Sequence, residues 1–300
     1  MQTTSRRAGA ASLPPRNIMV LAMRRRSAAF DGVLYAAVKS TGVVCRTPCP
    51  ARPARAASLT FYSRLAQALD DGYRPCRRCR PEAVRSSGDW TRAVLARAFA
   101  PIGSRRARVV PGTPAGGGPL VADRVPTPLG SMLGVASAEG LVLLEFADRP
   151  MLATQLKRLA RSLRTPIEAG THPHLVRIRR ELREWFAGRR RRFDTPLVVP
   201  GTPFQRAAWA ALRRIPYGET VAYETQARVL GRPTAVRAVG TANGDNRLAI
   251  VIPCHRVRRA DGTLGGYGGG VWRKQRLLEL ERAVSRRGTR RAGSPGIPAR

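Results

Sequence analysis

Negative charge is what this sequence has least of. Asp and Glu number 19 against 54 Lys and Arg, a formal net charge of +35 at pH 7 across 300 residues. Such a chain is drawn to polyanions, and nucleic acid is the partner class this balance selects. The charge does not select a reaction. An arginine bias of this kind also follows from a GC-rich genome, and an RNA partner fits it equally well. No uninterrupted apolar run is long enough to span a bilayer. The arginine-rich N-terminus lacks the apolar core of a secretion signal. A soluble cytoplasmic protein with no membrane partner is therefore expected. Cysteine is sparse, with five residues. In a cytosolic protein such a set argues for metal binding or catalysis before disulfides. No internal repeat is visible.

The length suggests about two domains. Residues 1–29 are expected to be disordered. Residues 30–82 form a small cysteine-bearing unit. In it, the alternating, β-branched run from Phe30 to Cys45 reads as a hairpin, and Ser58 to Gly72 reads as a helix with Ser58 as N-cap and Gly72 as stop. Residues 83–120 read as a linker with one short helix, closed by the Pro/Gly stretch 111–119. Residues 121–199 begin with strands about a turn at Glu139-Gly140 and continue as two amphipathic helices with solvated arginine faces. In residues 200–283, a helix follows Pro203, and Gly231-Arg232-Pro233 joins two short helices at helix-turn-helix spacing. A strand-like apolar run, Leu248 to Ile252, and a final helix from Val271 complete that segment. Residues 284–300 are expected to be a disordered basic tail.

Four cysteines fall in two close pairs, Cys45-x3-Cys49 and Cys76-x2-Cys79, with 26 residues between the pairs. Two thiolate pairs can wrap one tetrahedral Zn2+ in a closed site. So small a unit would draw much of its folding energy from the metal. Spacing alone favours a structural zinc without chemistry. The segment from Gly42 to Glu82, including Tyr73-Arg74-Pro75-Cys76, resembles the N-terminal methyl-acceptor domain of the Ada family of adaptive-response proteins. The resemblance implies that Cys45, Cys49, Cys76 and Cys79 bind Zn2+ and that Cys45 takes a methyl group from a DNA methylphosphotriester. Zinc would hold the sulfur as a thiolate at neutral pH. Losing one of four thiolate charges to methylation would raise affinity for the phosphate backbone, an electrostatic switch. Arg46 and Arg74 are candidates to hold the flanking phosphates.

The fifth cysteine stands alone in Ile252-Pro253-Cys254-His255-Arg256. A lone cysteine after an apolar run is more often a small core residue than a nucleophile. Its context, Thr202 to Gly270, resembles the catalytic domain of O6-methylguanine-DNA methyltransferases, a match extending from about Gly201 to Glu281. Residues 121–199 resemble, less specifically, the amino-terminal half of the same proteins. The resemblance implies that Cys254 is the methyl acceptor, that His255 acts through a water as base, and that Glu281 orients His255. It implies that Asn246 pins the turn into the active site. Tyr223 would help rotate the nucleotide and donate a proton to the leaving guanine, and Arg237 would fill the space of the flipped base. Arg256, Ala235 and Ala238 join Arg237 and Tyr223 as candidate DNA contacts. Small residues let a helix approach the minor groove, although close helix packing explains the alanines about as well. The product thioether is a very poor leaving group, and no Gly-rich loop for a diffusible methyl donor is evident. The protein should act once.

The implied architecture is an α/β multidomain chain. It has a small zinc-bound α+β N-terminal domain, a ribonuclease-H-like α/β subdomain, and a mainly helical catalytic domain with a helix-turn-helix. The implied function is repair of O6-methylguanine and O4-methylthymine in double-stranded alkylated DNA by a monomer. Residues 83–120 are too short for the two-motif AraC-type segment of full-length Ada activators. That weighs against a methylation-responsive transcriptional regulator, the competing reading. An inert Cys254 in a structural nucleic-acid binder is a third, and the full set of partner residues weighs against it.

Overall fold

The computed structural model describes residues 13–83, 86–100 and 118–292, and the chain divides into two units. The linker proposed at 111–119 and both extreme termini fall largely outside the described residues.

The first unit runs to Ser86 and also takes the loop 126–131. It opens with helix α1 (Arg16–Arg24), so residues expected to be disordered are in fact ordered. The cause is amphipathicity. Met19 and Ala22 are buried, and Arg16 donates to the carbonyls of Ala56 and Leu59 at 2.8 and 3.0 Å. The expected hairpin is present as β1 (Tyr35–Val38) and β2 (Val43–Arg46), turned at Gly42 with φ +64°. The helix expected from Ser58 is corrected. Leu59–Tyr62 is strand β3, antiparallel to β1, and helix α2 covers only Leu65–Asp70 before Gly72 stops it. A free edge on β1 and the alternating burial of Leu59 and Phe61 outweigh local helix propensity here. Strand β4 (Arg74–Pro75) pairs in parallel with β2, giving the order β3-β1-β2-β4.

The second unit begins with α3 (Ser87–Phe99). This helix is core rather than linker. Its Trp90, Leu95 and Ala98 pack with apolar residues of β5 (Leu120–Val125), β6 (Met132–Ala136), β7 (Leu141–Phe146) and α4 (Leu152–Leu163). The sheet order is β7-β6-β5-β8, antiparallel except for the edge strand β8 (Ile167–Ala169), which runs parallel to β5. Every residue of β6 and β7 is buried, as expected for a sheet with both faces covered. Helix α5 (Pro173–Phe186) lies on β5 and β6. It approaches so closely that a Cβ on Gly134 would meet Leu175 at 2.8 Å.

The remaining elements carry the expected helix pair. Helix α6 (Pro203–Arg213) starts in a full capping box made by Thr202 and Gln205. A two-residue strand β9 (Val221–Ala222) leads into α7 (Tyr223–Val229), and Gly231, at φ +67°, turns the chain toward α8 (Val236–Gly244). A buried amide pair, Gln226 with Asn243, locks α7 to α8, and Trp209 on α6 donates to the Ala242 carbonyl at 2.8 Å. The run Leu248 to Ile252 is buried as expected but is not a strand. Leu248 makes one bridge to Leu144, and the chain then turns through Ile250 at φ +73°. Strand β10 (Val257–Arg258) pairs in parallel with β9. Helix α9 (Val271–Ala292) continues well into the segment expected to be a disordered tail.

Candidate methyl-acceptor sites

Cys254 opens a one-turn 3-10 segment, Cys254–Arg256, directly after the Ile250 turn. A β-branched residue at positive φ is strained and persists only where packing enforces it. Here Leu248, Ala249, Ile250 and Ile252 are each at most 3% exposed. Asn246 holds the turn from inside. Its Oδ1 accepts from Leu248 N at 3.0 Å, and its Nδ2 donates to the Ile252 carbonyl at 2.8 Å and to Cys254 Sγ at 3.2 Å. Burial pushes the Cys254 thiol up, and the Asn246 hydrogen bond opposes that shift.

Behind Cys254 lies a buried polar array. His255 Nε2 is 3.0 Å from Glu281 Oε1, and both side chains are fully buried. Glu281 also accepts from Arg256 Nη2 at 2.8 Å and from Gly218 N at 3.0 Å. Burial opposes the Glu281 carboxylate, yet its contacts with His255 and Arg256 hold it at about 2. A charged His255 would suit Glu281 equally well. Burial lowers the histidine, however, and Arg256 already neutralises the carboxylate, so we assign a neutral imidazole. With Nε2 donating to Glu281, Nδ1 is the basic nitrogen, and it has no hydrogen-bond partner among the described residues.

Cys254 borders a cavity of about 300 Å³ with Tyr223, Asn246, Tyr267, Glu145 and Arg149, among others. The structure therefore brings Cys254, Asn246 and Tyr223 together and sets His255 and Glu281 behind them. Arg237 and Ala238 are exposed on α8 and Ala235 is half-buried, whereas Ala242 on the same helix is packed inside. Arg256 is a correction. It was expected at the DNA surface, but it is 7% exposed and its guanidinium is taken up by Glu281 and the Ile215 carbonyl.

Sequence reasoning missed Glu145, Arg149, Tyr267 and Lys274. Lys274 is fully buried, and burial lowers it to about 8 despite attraction to Cys254. A lysine inside an arginine-rich chain was the one signal that could have marked it.

In the first unit, β2, the turn after it and the turn that follows β4 bring Cys45, Cys49, Cys76 and Cys79 together, their sulfurs all within 4.8 Å of one another. Packed thiols cannot all ionise alone. Cys49 is pushed up to about 11, chiefly by burial, while a hydrogen bond from Cys45 draws Cys79 down to about 6. A soft dication resolves that conflict, and four sulfurs at this separation fit tetrahedral zinc. Cys45 and Cys49 also border a small cavity of about 40 Å³, walled by Val20 and Met23 of α1 and by residues 51–54. Arg46, expected to reach phosphate, is instead buried against Asp31.

Residues 19–82 match the family model described as the metal binding domain of Ada. Residues 203–283 match the 6-O-methylguanine DNA methyltransferase, DNA binding domain. The bifunctional transcriptional activator/DNA repair enzyme Ada of Escherichia coli K12 is 32% identical over 331 aligned positions, which cover 84% of this chain and 92% of that protein. The chain belongs to the Ada family. As an Ada-family protein it binds zinc through the four N-terminal cysteines. Its C-terminal part is also similar to the methylated-DNA--protein-cysteine methyltransferase of Mycolicibacterium paratuberculosis, 56% identical over 105 residues, 35% of this chain and 64% of that one. Among solved structures, Mycobacterium tuberculosis OGT in complex with DNA is 37% identical, with a TM-score of 0.48, covering 55% of this chain and 93% of that one. No helix among the described residues is long and apolar enough to cross a membrane.

Proposed function

We propose that this Ada-family chain is a DNA-repair methyltransferase that moves the methyl group of O6-methylguanine, and of O4-methylthymine, onto Cys254 and is consumed in doing so. The observation that carries this is the Cys254 cavity, with its thiol hydrogen-bonded to Asn246 and, behind it, a histidine nitrogen without a partner among the described residues. The alkylated base is stacked in duplex DNA and must be flipped out, at a cost of a few kcal/mol. Arg237, exposed on α8, enters the vacated stack and offsets that cost. Ala238 beside it keeps the helix thin enough for the minor groove. His255 Nδ1 takes the Cys254 proton through a water. The thiolate attacks the methyl carbon, the C–O6 bond breaks, and its electrons go to the guanine, which Tyr223 protonates. The product is an S-methyl thioether, which nothing in the cavity can hydrolyse.

In the same reading, Cys45 accepts a methyl group from a methylphosphotriester, and an ordinary phosphodiester anion leaves. The choice of Cys45 rests on the resemblance of the four-cysteine spacing to the Ada methyl-acceptor domain; Cys45 shares with Cys49 the border of a cavity along whose edge Arg24 and Arg52 are exposed. Zinc held by the four cysteines supplies the charge that keeps their sulfurs deprotonated at neutral pH. The sheet of the second unit serves as the ribonuclease-H-like half, and the protein acts as a monomer in the cytoplasm. Helix α3 packs in the core of the second unit rather than forming part of an AraC-type segment, which weighs against transcriptional control.

The test is intact-protein mass spectrometry after exposure to duplex DNA carrying O6-methylguanine. One methyl per chain on the peptide containing Cys254 is expected, and none on Cys254→Ala. Turnover beyond one methyl per Cys254 overturns the proposal.

A further inference from the structure

We propose that the buried pair Glu145–Arg149 is a positioning element of the methyl-acceptor site, in which Arg149 fixes the Asn246 peptide and thereby the side chain that holds Cys254. The proposal rests on the reading of Cys254 as acceptor. Glu145 is the penultimate residue of β7 and is fully buried; the Arg149 side chain is 7% exposed, and the two form an ion pair. Arg149 Nη1 also donates to the Asn246 carbonyl at 3.1 Å, and Nη2 donates to the carbonyl of Gly244, the last residue of α8. Glu145 is anchored in turn by accepting from Phe146 N at 2.9 Å. A Cβ on Gly268 would lie 2.5 Å from the guanidinium carbon, so the glycine loop 265–270 rests on the same group. One guanidinium thus contacts the end of α8, the turn toward Cys254 and the loop across the cavity. Glu145, Arg149 and Gly268 all line that cavity.

A buried pair of this kind is poor evidence for stability as such. Removing a carboxylate and a guanidinium from water is costly, and apolar replacements are often as stable. What an arginine does that an apolar residue cannot is hold two carbonyls in fixed positions. The carbonyl it holds belongs to Asn246, whose amide touches Cys254 Sγ. The pair also acts electrostatically. The charged and titratable groups facing Cys254 are Glu145 and Arg149 from the sheet side, Lys274 from α9, Tyr223 from α7 and Tyr267 from the glycine loop, beside its neighbour His255. Glu145 disfavours the thiolate, and Arg149 and Lys274 favour it.

The experiment uses the zinc-loaded full chain with Arg149→Met, Arg149→Lys and Glu145→Gln. Three quantities are read: single-turnover methyl transfer at saturating duplex, duplex affinity, and the pH profile of Cys254 alkylation by iodoacetamide, followed on its own peptide. Arg149→Met should slow transfer about tenfold or more while affinity stays within about twofold, since misplacement acts on the reacting geometry. Arg149→Lys should recover part of the rate. Glu145→Gln, nearly isosteric, should move the alkylation profile to lower pH and slow transfer at its plateau. Wild-type transfer by a folded Arg149→Met overturns the proposal. If Arg149→Met does not fold, an unmoved profile and rate in Glu145→Gln overturn it instead. If the wild type accepts no methyl at all, the acceptor reading fails, and the alkylation profiles still decide whether the pair tunes Cys254.

Discussion

Glu281→Gln removes the charge on which the array behind Cys254 converges. Glu281 is fully buried and accepts from His255, Arg256 and Gly218. Its carboxyl lies at about 2 against a usual 4.5. That displacement corresponds to about 3 kcal/mol of folded-state preference for the carboxylate at neutral pH. Breaking a buried ion pair by removing one partner costs a similar amount, about 3–5 kcal/mol, because the other charge is left unpaired. The variant should therefore lose about 3 kcal/mol. All four tryptophans, Trp90, Trp185, Trp209 and Trp272, belong to the second unit, so urea denaturation followed by tryptophan fluorescence reads that unit alone. Methyl transfer should slow about 100-fold as His255 loses its orienting partner. The acid limb should change as well. Because the folded Glu281 value lies below the unfolded one, the unfolded chain binds the proton first, and wild-type stability is lost as pH falls from about 4.5 through about 2. His255, lowered by burial, adds a loss that begins near pH 6.5. The variant should lack the Glu281 part. A loss under about 1 kcal/mol with transfer at the wild-type rate would refute the reasoning.

Asn246→Ala should cost about 1–3 kcal/mol, since Leu248 N and the Ile252 carbonyl are left unpaired inside, and should slow alkylation of Cys254; equal reactivity in the variant argues against the hinge role. Chelation, or Cys76→Ser, should unfold the first unit while Cys254 still accepts methyl, with one zinc per chain measured in the wild type; circular dichroism and peptide mass mapping distinguish the two units. Arg237→Ala should lower transfer from duplex DNA far more than the overall fold stability, because Arg237 is exposed; equal transfer rates would remove it from the flipping step. Methylation of Cys45 in Cys254→Ala protein should tighten DNA binding at low salt and less so at high salt, measured by titration with DNA carrying only methylphosphotriesters.

The sequence by itself determined the chemistry-bearing motifs and the locally coded elements. The four-cysteine spacing, the Pro253-Cys254-His255 run, the β1–β2 hairpin, the helix pair about Gly231 and the amphipathic α4 and α5 all depend on residues near one another in the chain. Periodicity and turn chemistry report such features directly. Tertiary structure decided the rest. Leu59–Tyr62 became a strand because β1 offered it an edge, and Leu248 to Ile252 became a strained buried turn because Asn246 bonds across it. Arg256 lost its surface role because Glu281, 25 residues later, folds back onto it. Arg149 reaches Asn246 across 97 residues. No local pattern encodes these partners. A buried charge reveals its role only when the fold supplies the group that compensates it, and that group is chosen by the whole chain's packing.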